Sequence, residues 1–487
     1  MVFRRFRTPP SLRLALLFMC AFAAHAEKIA LVGGTVINPA DGKITENAVV
    51  VINGDTIESV GSRKEKDVPA GSRWIDCKGK FILPGFIDTH VHFFQSGGLF
   101  TRPDAVDLNS VRPYKDEVAW VKSHVDDVFS RYLRCGITSV IDVGGPMWNF
   151  EVRKYANTSA KAPRVAIAGP LISSVARPQL DLGDPPIVKI ETPEQGREFV
   201  RKLAAQNPDY VKIWYVVSPD SPVTKFRPIV HAVIEESHAR KLRVAVHATE
   251  LEAARASAEE GADLLVHSVT DKLVDEAFVR LLQEKHTFLT PTLVVFERYG
   301  RTFANKLELT PEEKAWGNPE VIASLDVTKL PPDKVPDRIK IALKDPDAVL
   351  SRIRQTYDIA LKNLKTLEDA GITIAAGTDA GNIGTIHGPA LFREFQLMKE
   401  AGLTPMQILQ STTANAAKAF GGTSSVSSKD GTEAVPPKIG TIAPGKLADL
   451  VVLNSNPLDD IAHASDLQAV YKGGVMMPAQ SLLQNPN

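Results

Sequence analysis

The spacing of apolar and polar positions changes twice along the 487-residue chain. Residues 29–36, 48–52 and 56–60 are β-branched runs of the kind that forms half-buried strands, separated by Asp41-Gly42 and Asn53-Gly54, dipeptides that favour tight hairpins. The same texture returns near the other end, at residues 439–442, 449–453 and 469–471, with Pro444-Gly445 and Lys472-Gly473-Gly474 as turns. The two ends are expected to build one small β-sandwich domain together, from residues 27–82 and 430–487, since chain termini commonly meet at a surface.

Between them, short apolar runs alternate with longer amphipathic segments, the rhythm of βα units around a parallel sheet. Eight strands are expected, at residues 81–92, 136–143, 164–168, 210–217, 242–247, 263–269, 287–295 and 373–378. Thr192-Pro193-Glu194-Gln195 and Thr404-Pro405 read as helix starts, opening helices over 196–205 and 406–420. Eight such units predict an α/β fold of the (β/α)8 TIM-barrel type over residues 83–429. Two stretches exceed that plan. Residues 297–350 are polar and carry Pro331, Pro332, Pro336 and Pro346; they follow the seventh strand, on the face where barrel active sites lie, and are expected to form a lid. Residues 423–437 are rich in Ser, Gly and Pro and read as a connector.

The formal net charge is zero, with both signs mixed along the chain, which leaves no electrostatic footprint for nucleic acid or an acidic membrane. A small molecule or short peptide is the expected partner. Arg4, Arg5, Arg7 and Arg13 precede an apolar run at residues 14–24 that ends in Ala24-His25-Ala26, the layout of a secretory signal cleaved near Ala26. The run is short of the roughly 20 residues a spanning helix needs, so the mature chain is expected to be exported, without a membrane span. Cys20 falls in that leader, leaving Cys77 and Cys135, too few for a disulfide framework; whether they pair is open at this stage.

The chemistry gathers at strand ends. In Pro84-Gly85-Phe86-Ile87-Asp88-Thr89-His90-Val91-His92 the two histidines are two apart, so on a strand they aim to one side. Lys212 interrupts the apolar strand Tyr210-Val211-Lys212-Ile213-Trp214, where an inward ammonium is costly unless paired or converted. A buried neutral lysine can take up carbon dioxide as a carbamate, whose two oxygens suit a bridge between divalent ions; a rim lysine in solvent fits the strand equally well. His247 and His267 end the fifth and sixth strands, and Asp379 follows Gly377-Thr378 at the end of the eighth.

As an ordered set these residues resemble the amidohydrolase superfamily over essentially the whole mature chain. The segments His387-Gly388-Pro389, Glu394-Phe395-Gln396-Leu397-Met398, Thr412-Thr413-Ala414-Asn415 and Gly445-Lys446-Leu447-Ala448-Asp449 resemble its imidazolonepropionase-related branch, and within it the prolidase-like peptidases. The resemblance implies that His90, His92 and Asp379 hold one divalent ion and His247 and His267 another, with carboxylated Lys212 as the bridge. It also implies hydrolysis of an amide C–N bond by hydroxide bridging the ions, Asp379 serving as proton carrier, and a multimeric assembly. Mixed N and O donors suit Zn2+ first, with Mn2+ or Co2+ as alternatives.

A mononuclear deaminase is the enzymatic rival, because His247-Ala248-Thr249-Glu250 matches a His-x-x-Glu pattern with Glu as proton shuttle. Lys212 argues against it, and residues 249–252 also read as a capping box opening a helix at Leu251. A lactonase or phosphotriesterase-like enzyme would use the same six ligands. A non-catalytic scaffold would be expected to have lost ligands, and all six are present. Tyr215, His387, Arg298 and Arg301 are the candidates for holding a substrate carboxylate.

Overall fold

Left-handed turns at Gly42 (φ 70°) and Gly54 (φ 62°) reverse the chain, so β1 (Ile29–Asn38), β2 (Lys43–Asn53) and β3 (Thr56–Ser62) form an antiparallel meander. The computed structural model describes residues 28–421 and 437–483; the leader at 1–26 and nearly all of the 423–437 connector lie outside the described residues. β4 (Arg73–Asp76) and β5 (Phe81–Pro84) both run parallel to β1.

Nine parallel strands follow: β6 (Phe86–Val91), β7 (Ile137–Asp142), β8 (Arg164–Ile167), β9 (Leu171–Ser173), β10 (Ile187–Lys189), β11 (Tyr210–Trp214), β12 (Arg243–His247), β13 (Leu264–Val266) and β14 (Phe288–Thr290). β6, β7 and β8 pair in that order, and β11 to β14 pair in theirs, while β9 and β10 extend the edge of β11. The two arcs join at both ends. Asp209 N donates to the Ile167 carbonyl at 2.8 Å, linking β8 to the start of β11. On the other side residues 373–380 lie between β14 and β6: Ala375 N donates to Leu289 O at 2.8 Å, Thr89 N to Ala376 O at 3.0 Å and His92 N to Ala380 O at 2.8 Å. This α/β arrangement of eight parallel staves is a TIM-type barrel.

The eighth stave differs from the continuous strand expected at 373–378, since it pairs through the isolated bridges Leu289–Ile374 and Val91–Ala380 beside its backbone bonds. The cause is a side chain in the ladder: Thr378 N donates to Asp88 Oδ1 at 3.1 Å and Thr378 Oγ1 to Asp88 Oδ2 at 2.7 Å. The seventh strand is likewise shorter than 287–295. Pro291 and the left-handed Thr292 (φ 46°) end it, and a helix begins at Leu293.

β15 (Leu450–Leu453), β16 (Leu467–Lys472) and β17 (Val475–Pro478) return to the first sheet, β15 pairing antiparallel with β5. All eight terminal strands therefore belong to one hydrogen-bonded sheet in which the two chain ends meet at β5. Alternate residues of β1 fall in separate apolar clusters, Leu31 and Val36 on one side and Ala30 and Val32 on the other. Residues 439–442 form no strand; Gly440 (φ 80°) turns them, and Asn38 Oδ1 accepts from Ile442 N and Thr441 Oγ1. Arg164 of β8 grips Asp449 at 2.6 and 3.1 Å, tying sheet to barrel.

The capping boxes at Thr192 and Thr404 are both formed, but the helix from 405 breaks at Thr413 into Pro405–Thr412 and Ala414–Gly421. The insertion at 297–350 is helical rather than a loose lid. Phe303, Val321, Leu325, Val327, Leu330 and Ile339 bury against Leu99, Val106 and Leu108 and against Ile383 and Ile386, giving it an apolar core of its own over the barrel mouth. Among the described residues no helix is long and apolar enough to cross a membrane. Cys77 and Cys135 are both buried and unbonded.

The barrel's closing seam leaves no room beside Gly377: a Cβ there would sit 2.6 Å from Thr290 Cγ2 and 2.9 Å from His90 N. Gly377→Ala is expected to lower stability by about 1–3 kcal/mol through overpacking, measured by urea unfolding.

Candidate metal centre

Closure of the ring brings strand ends together from opposite sides of the sequence. His90 and His92, on alternate positions at the end of β6, share a face, and Asp379 reaches them from the eighth stave. Asp379 Oδ1 lies 3.2 Å from His90 Nε2 and 3.0 Å from His92 Nε2, and the two Nε2 atoms are 3.2 Å apart. These three are a group able to hold a metal ion. Lys212 projects from β11, His247 ends β12, and His267 follows β13; the His247 and His267 rings are 4.5 Å apart, and the His90 ring is 5.0 Å from that of His267. All six residues line one cavity of about 460 Å³.

Two of these histidines are oriented by partners behind them, whereas the buried His90 Nδ1 has none. The His92 Nδ1–H donates to the Gly144 carbonyl at 2.6 Å, which leaves the Nε2 lone pair facing Asp379. Gly144 is in turn held through its N–H to Asp142, whose other oxygen accepts from Asn149 Nδ2 at 2.6 Å. His267 Nδ1 pairs with Thr292 Oγ1 at 2.5 Å. His267 (φ 79°), Thr292 (φ 46°) and Asp379 (φ 62°) all take left-handed backbone, a cost of about 1–3 kcal/mol each that surrounding packing must offset. Gly381 permits the last of these turns, since a Cβ there would meet the His92 carbonyl oxygen at 2.5 Å.

Burial pushes the His90 and His247 imidazoles down to about 3 and holds that of His267 well below its ordinary value, so their nitrogens are neutral lone-pair donors near pH 7. Burial opposes the charge of Asp379 too, but the His90 and His92 rings outweigh it and hold its carboxyl well below the usual range. Burial brings the Lys212 amine down to about 7, with Asp379 as the opposing influence. Its Nζ is buried with no hydrogen-bond partner. An orphaned amine among three neutral imidazoles and a carboxylate is the donor set a divalent cation accepts, and it fits a lysine whose nitrogen carries a further acidic group.

The outer wall was not anticipated from sequence. Arg102 forks onto Asp104 with two bonds of 2.7 Å, and Arg177 approaches the same carboxylate at 3.4 Å while lying over the Trp214 ring. Two guanidinium groups thus share one acid, and Arg338 of the insertion adds a third on the same cavity. Phe94, Trp214, Phe296 and Tyr299 supply the apolar part. Arg102 and Asp104 lie in a stretch without periodicity, and only folding brings Arg177 and Arg338 to them. Asp88, by contrast, carried a legible signal as an acid inside an apolar strand.

Tyr215, His387, Arg298 and Arg301 do not line the cavity. Tyr215 is odd in register against Lys212 and Trp214, so it points outward, packing on Phe226 and donating to the Val223 carbonyl. His387 is buried between Tyr132 Oη and the Gln95 carbonyl, each at 2.8 Å. Arg298 is fully buried against Glu313 at 2.8 Å, and Arg301 pairs with Glu297 at 3.2 Å; Val295, Phe296 and Tyr299 hold the cavity side of that helix. Glu250 lies outside the lining as well, which takes Thr249 instead. The expected capping box is not made: Glu250 is the N-cap without a side-chain bond, and Leu251 N is satisfied by Asp271 at 2.9 Å.

The model of the amidohydrolase family matches residues 81–477. Ochratoxinase of Aspergillus niger is 24% identical over 509 residues, covering 96% of this chain and 90% of that protein. Its crystal structure superposes with a TM-score of 0.68 at 22% identity, over 93% of this chain and 96% of that one. A Xaa-Pro dipeptidase with methionine in its active site gives 0.66 at 22% identity, over 93% and 100%. Likeness at that level carries the fold.

Tyr215→Phe is expected to cost about 1 kcal/mol of stability through the lost bond to Val223 and to leave KM for any substrate unchanged, as thermal unfolding and steady-state kinetics would show.

Proposed function

The chain belongs to the amidohydrolase family, and from that premise we propose that it is an exported, two-metal hydrolase of amide C–N bonds whose substrate carries a free carboxylate. The convergence of His90, His92, Lys212, His247, His267 and Asp379 on one cavity is the observation that carries this reading. His90, His92 and Asp379 would hold one ion, His247 and His267 the other, and Lys212 as its carbamate would bridge them; Zn2+ suits the donors, with Mn2+ or Co2+ as alternatives. Bound ions would lower the pKa of water from about 15.7 to about 7 and polarise the scissile carbonyl.

The remaining work falls to the chain. With burial bringing its amine down to about 7, Lys212 is partly uncharged at neutral pH, and the lone pair of that form can add carbon dioxide, losing a proton as the N–C bond forms. Asp379, held as a carboxylate, accepts a proton from the attacking water and returns it to the amine nitrogen as the C–N bond breaks. Arg177 and Arg338 face the cavity with more positive charge than Asp104 neutralises, which suits the carboxylate of an N-acyl amino acid or a dipeptide. Trp214 and Phe94 line the space beside them. Export rests on residues 1–26, by their composition alone. The deaminase reading loses its shuttle, because Glu250 does not face the cavity.

Metal analysis of the purified protein, together with hydrolysis of a panel of N-acyl amino acids and Xaa-Pro dipeptides, tests the proposal. About two metals per chain and release of a free amino acid are expected; one metal with ammonia from amino-heterocycles would sink it. Lys212→Ala should strip metal and depress kcat by orders of magnitude, whereas Glu250→Ala should leave kcat within about twofold. Arg177→Met should raise KM for carboxylate-bearing substrates about 10- to 100-fold, as loss of a charged hydrogen bond of about 1.5–3 kcal/mol requires, and leave their amidated analogues unaffected.

A further inference from the structure

One side chain connects the arginine wall to Asp379. Asn382 Oδ1 accepts from Arg102 Nη1 at 2.8 Å and from Tyr299 Oη at 2.5 Å. A guanidinium can only donate, so the amide oxygen must face it, and the Nδ2 group must face the other way. There it donates to Asp379 Oδ1 at 2.7 Å, the same oxygen that lies near His90 and His92. Asn382 is buried. Its own backbone is set by the turn after the eighth stave, where Asn382 O accepts from Thr385 N at 2.8 Å. Arg102 is itself immobilised by its two bonds to Asp104, so the chain Asp104, Arg102, Asn382, Asp379 is anchored at its outer end.

Resting on the amide-hydrolase reading above, we propose that Asn382 is a positioning residue: its amide N–H, oriented by Arg102 and Tyr299, fixes the rotation of the Asp379 carboxylate. Asp379 must offer one oxygen to a metal and leave the other to carry the proton between water and departing amine. A carboxylate rotates freely about its last bond, and its left-handed backbone does nothing to stop it. A donor on Oδ1 from outside the metal shell does, and it assigns the two oxygens different tasks. The arrangement also places the group that orients Asp379 in contact with the wall that would receive the substrate.

Two near-isosteric replacements separate this role from its alternatives. Asn382→Asp keeps an acceptor for Arg102 and Tyr299 but removes the donor to Asp379; Asn382→Leu removes both. If the donor orients Asp379, both variants lose about 10- to 100-fold in kcat, the usual cost of removing an outer partner of a metal ligand, with KM changed less than about threefold. Wild-type kcat in Asn382→Asp alongside loss in Asn382→Leu would mean that Asn382 serves only Arg102, and would overturn the proposal; so would unchanged kcat in both. Zinc release to a chelator, followed at one pH, supplies a readout apart from turnover: Asn382→Leu is expected to release zinc faster than wild type, and an equal rate counts against the proposal. A wild-type protein that binds zinc yet cleaves no amide would overturn the function while leaving this second test intact. Circular dichroism of each variant establishes that it folds.

Discussion

The barrel closes through a carboxylate. Asp88, buried in β6, accepts from Thr378 N and Oγ1 on the eighth stave and from His90 N on its own strand. It adds to the backbone bonds Thr89 N–Ala376 O, Asp379 N–His90 O and His92 N–Ala380 O of that seam, and it does so beside His90, His92 and Asp379. Burial pushes its carboxyl up to about 7, the bonds from Thr378 and His90 pulling the other way. His90, His92 and Asp379 meet only because this seam holds, so the most distant parts of the barrel sequence become neighbours within about 3 Å of one another.

Around that seam the site is held by partners rather than by the ligands themselves. Gly144 and Thr292 take the Nδ1 of His92 and His267 and leave the Nε2 free, while Asn382 holds Asp379 through Oδ1, the oxygen beside His90 and His92. Glu394 extends the pattern outward. Its two oxygens accept from Leu293 N at 2.9 Å and Val294 N at 2.8 Å, capping the helix that follows Thr292 and carries Phe296 and Tyr299 into the cavity. The insertion expected as a lid has a buried apolar core that seats it as a wall, and Tyr299 and the exposed Arg338 line the cavity from it.

Charge is distributed unevenly across this cavity. At its floor lie neutral imidazoles and one carboxylate, a donor set that fits a cation. At its rim, Arg102 and Arg177 share Asp104 and Arg338 stands apart from any acid in the lining. The proposed substrate, with an anionic end and a neutral amide, would satisfy both ends at once, and one without the anion would leave the rim undercompensated.

By itself the sequence determined what is local. Short apolar runs marked the staves, Thr192 and Thr404 with their paired glutamines marked helix starts, Lys212 stood out inside an apolar strand, and His90, His92, His247, His267 and Asp379 stood at strand ends where a barrel has its mouth. Tertiary structure decided what depends on distant register. Tyr215 sits one residue from Trp214 yet faces away, because alternation sends neighbours to opposite sides of a strand. Arg298 sits beside Tyr299 yet is consumed by Glu313, because a helix turns about 100° per residue. Leu251 N at its helix start donates to Asp271, twenty residues on, in place of the cap expected from Thr249. Arg102, Arg177 and Asn382 come from three separate loops and Arg338 from a short helix of the insertion, and they carry no shared pattern. Side-chain type and short-range period are properties of a few consecutive residues, whereas the pairing of a guanidinium with a particular carboxylate or amide exists only once the ring has closed.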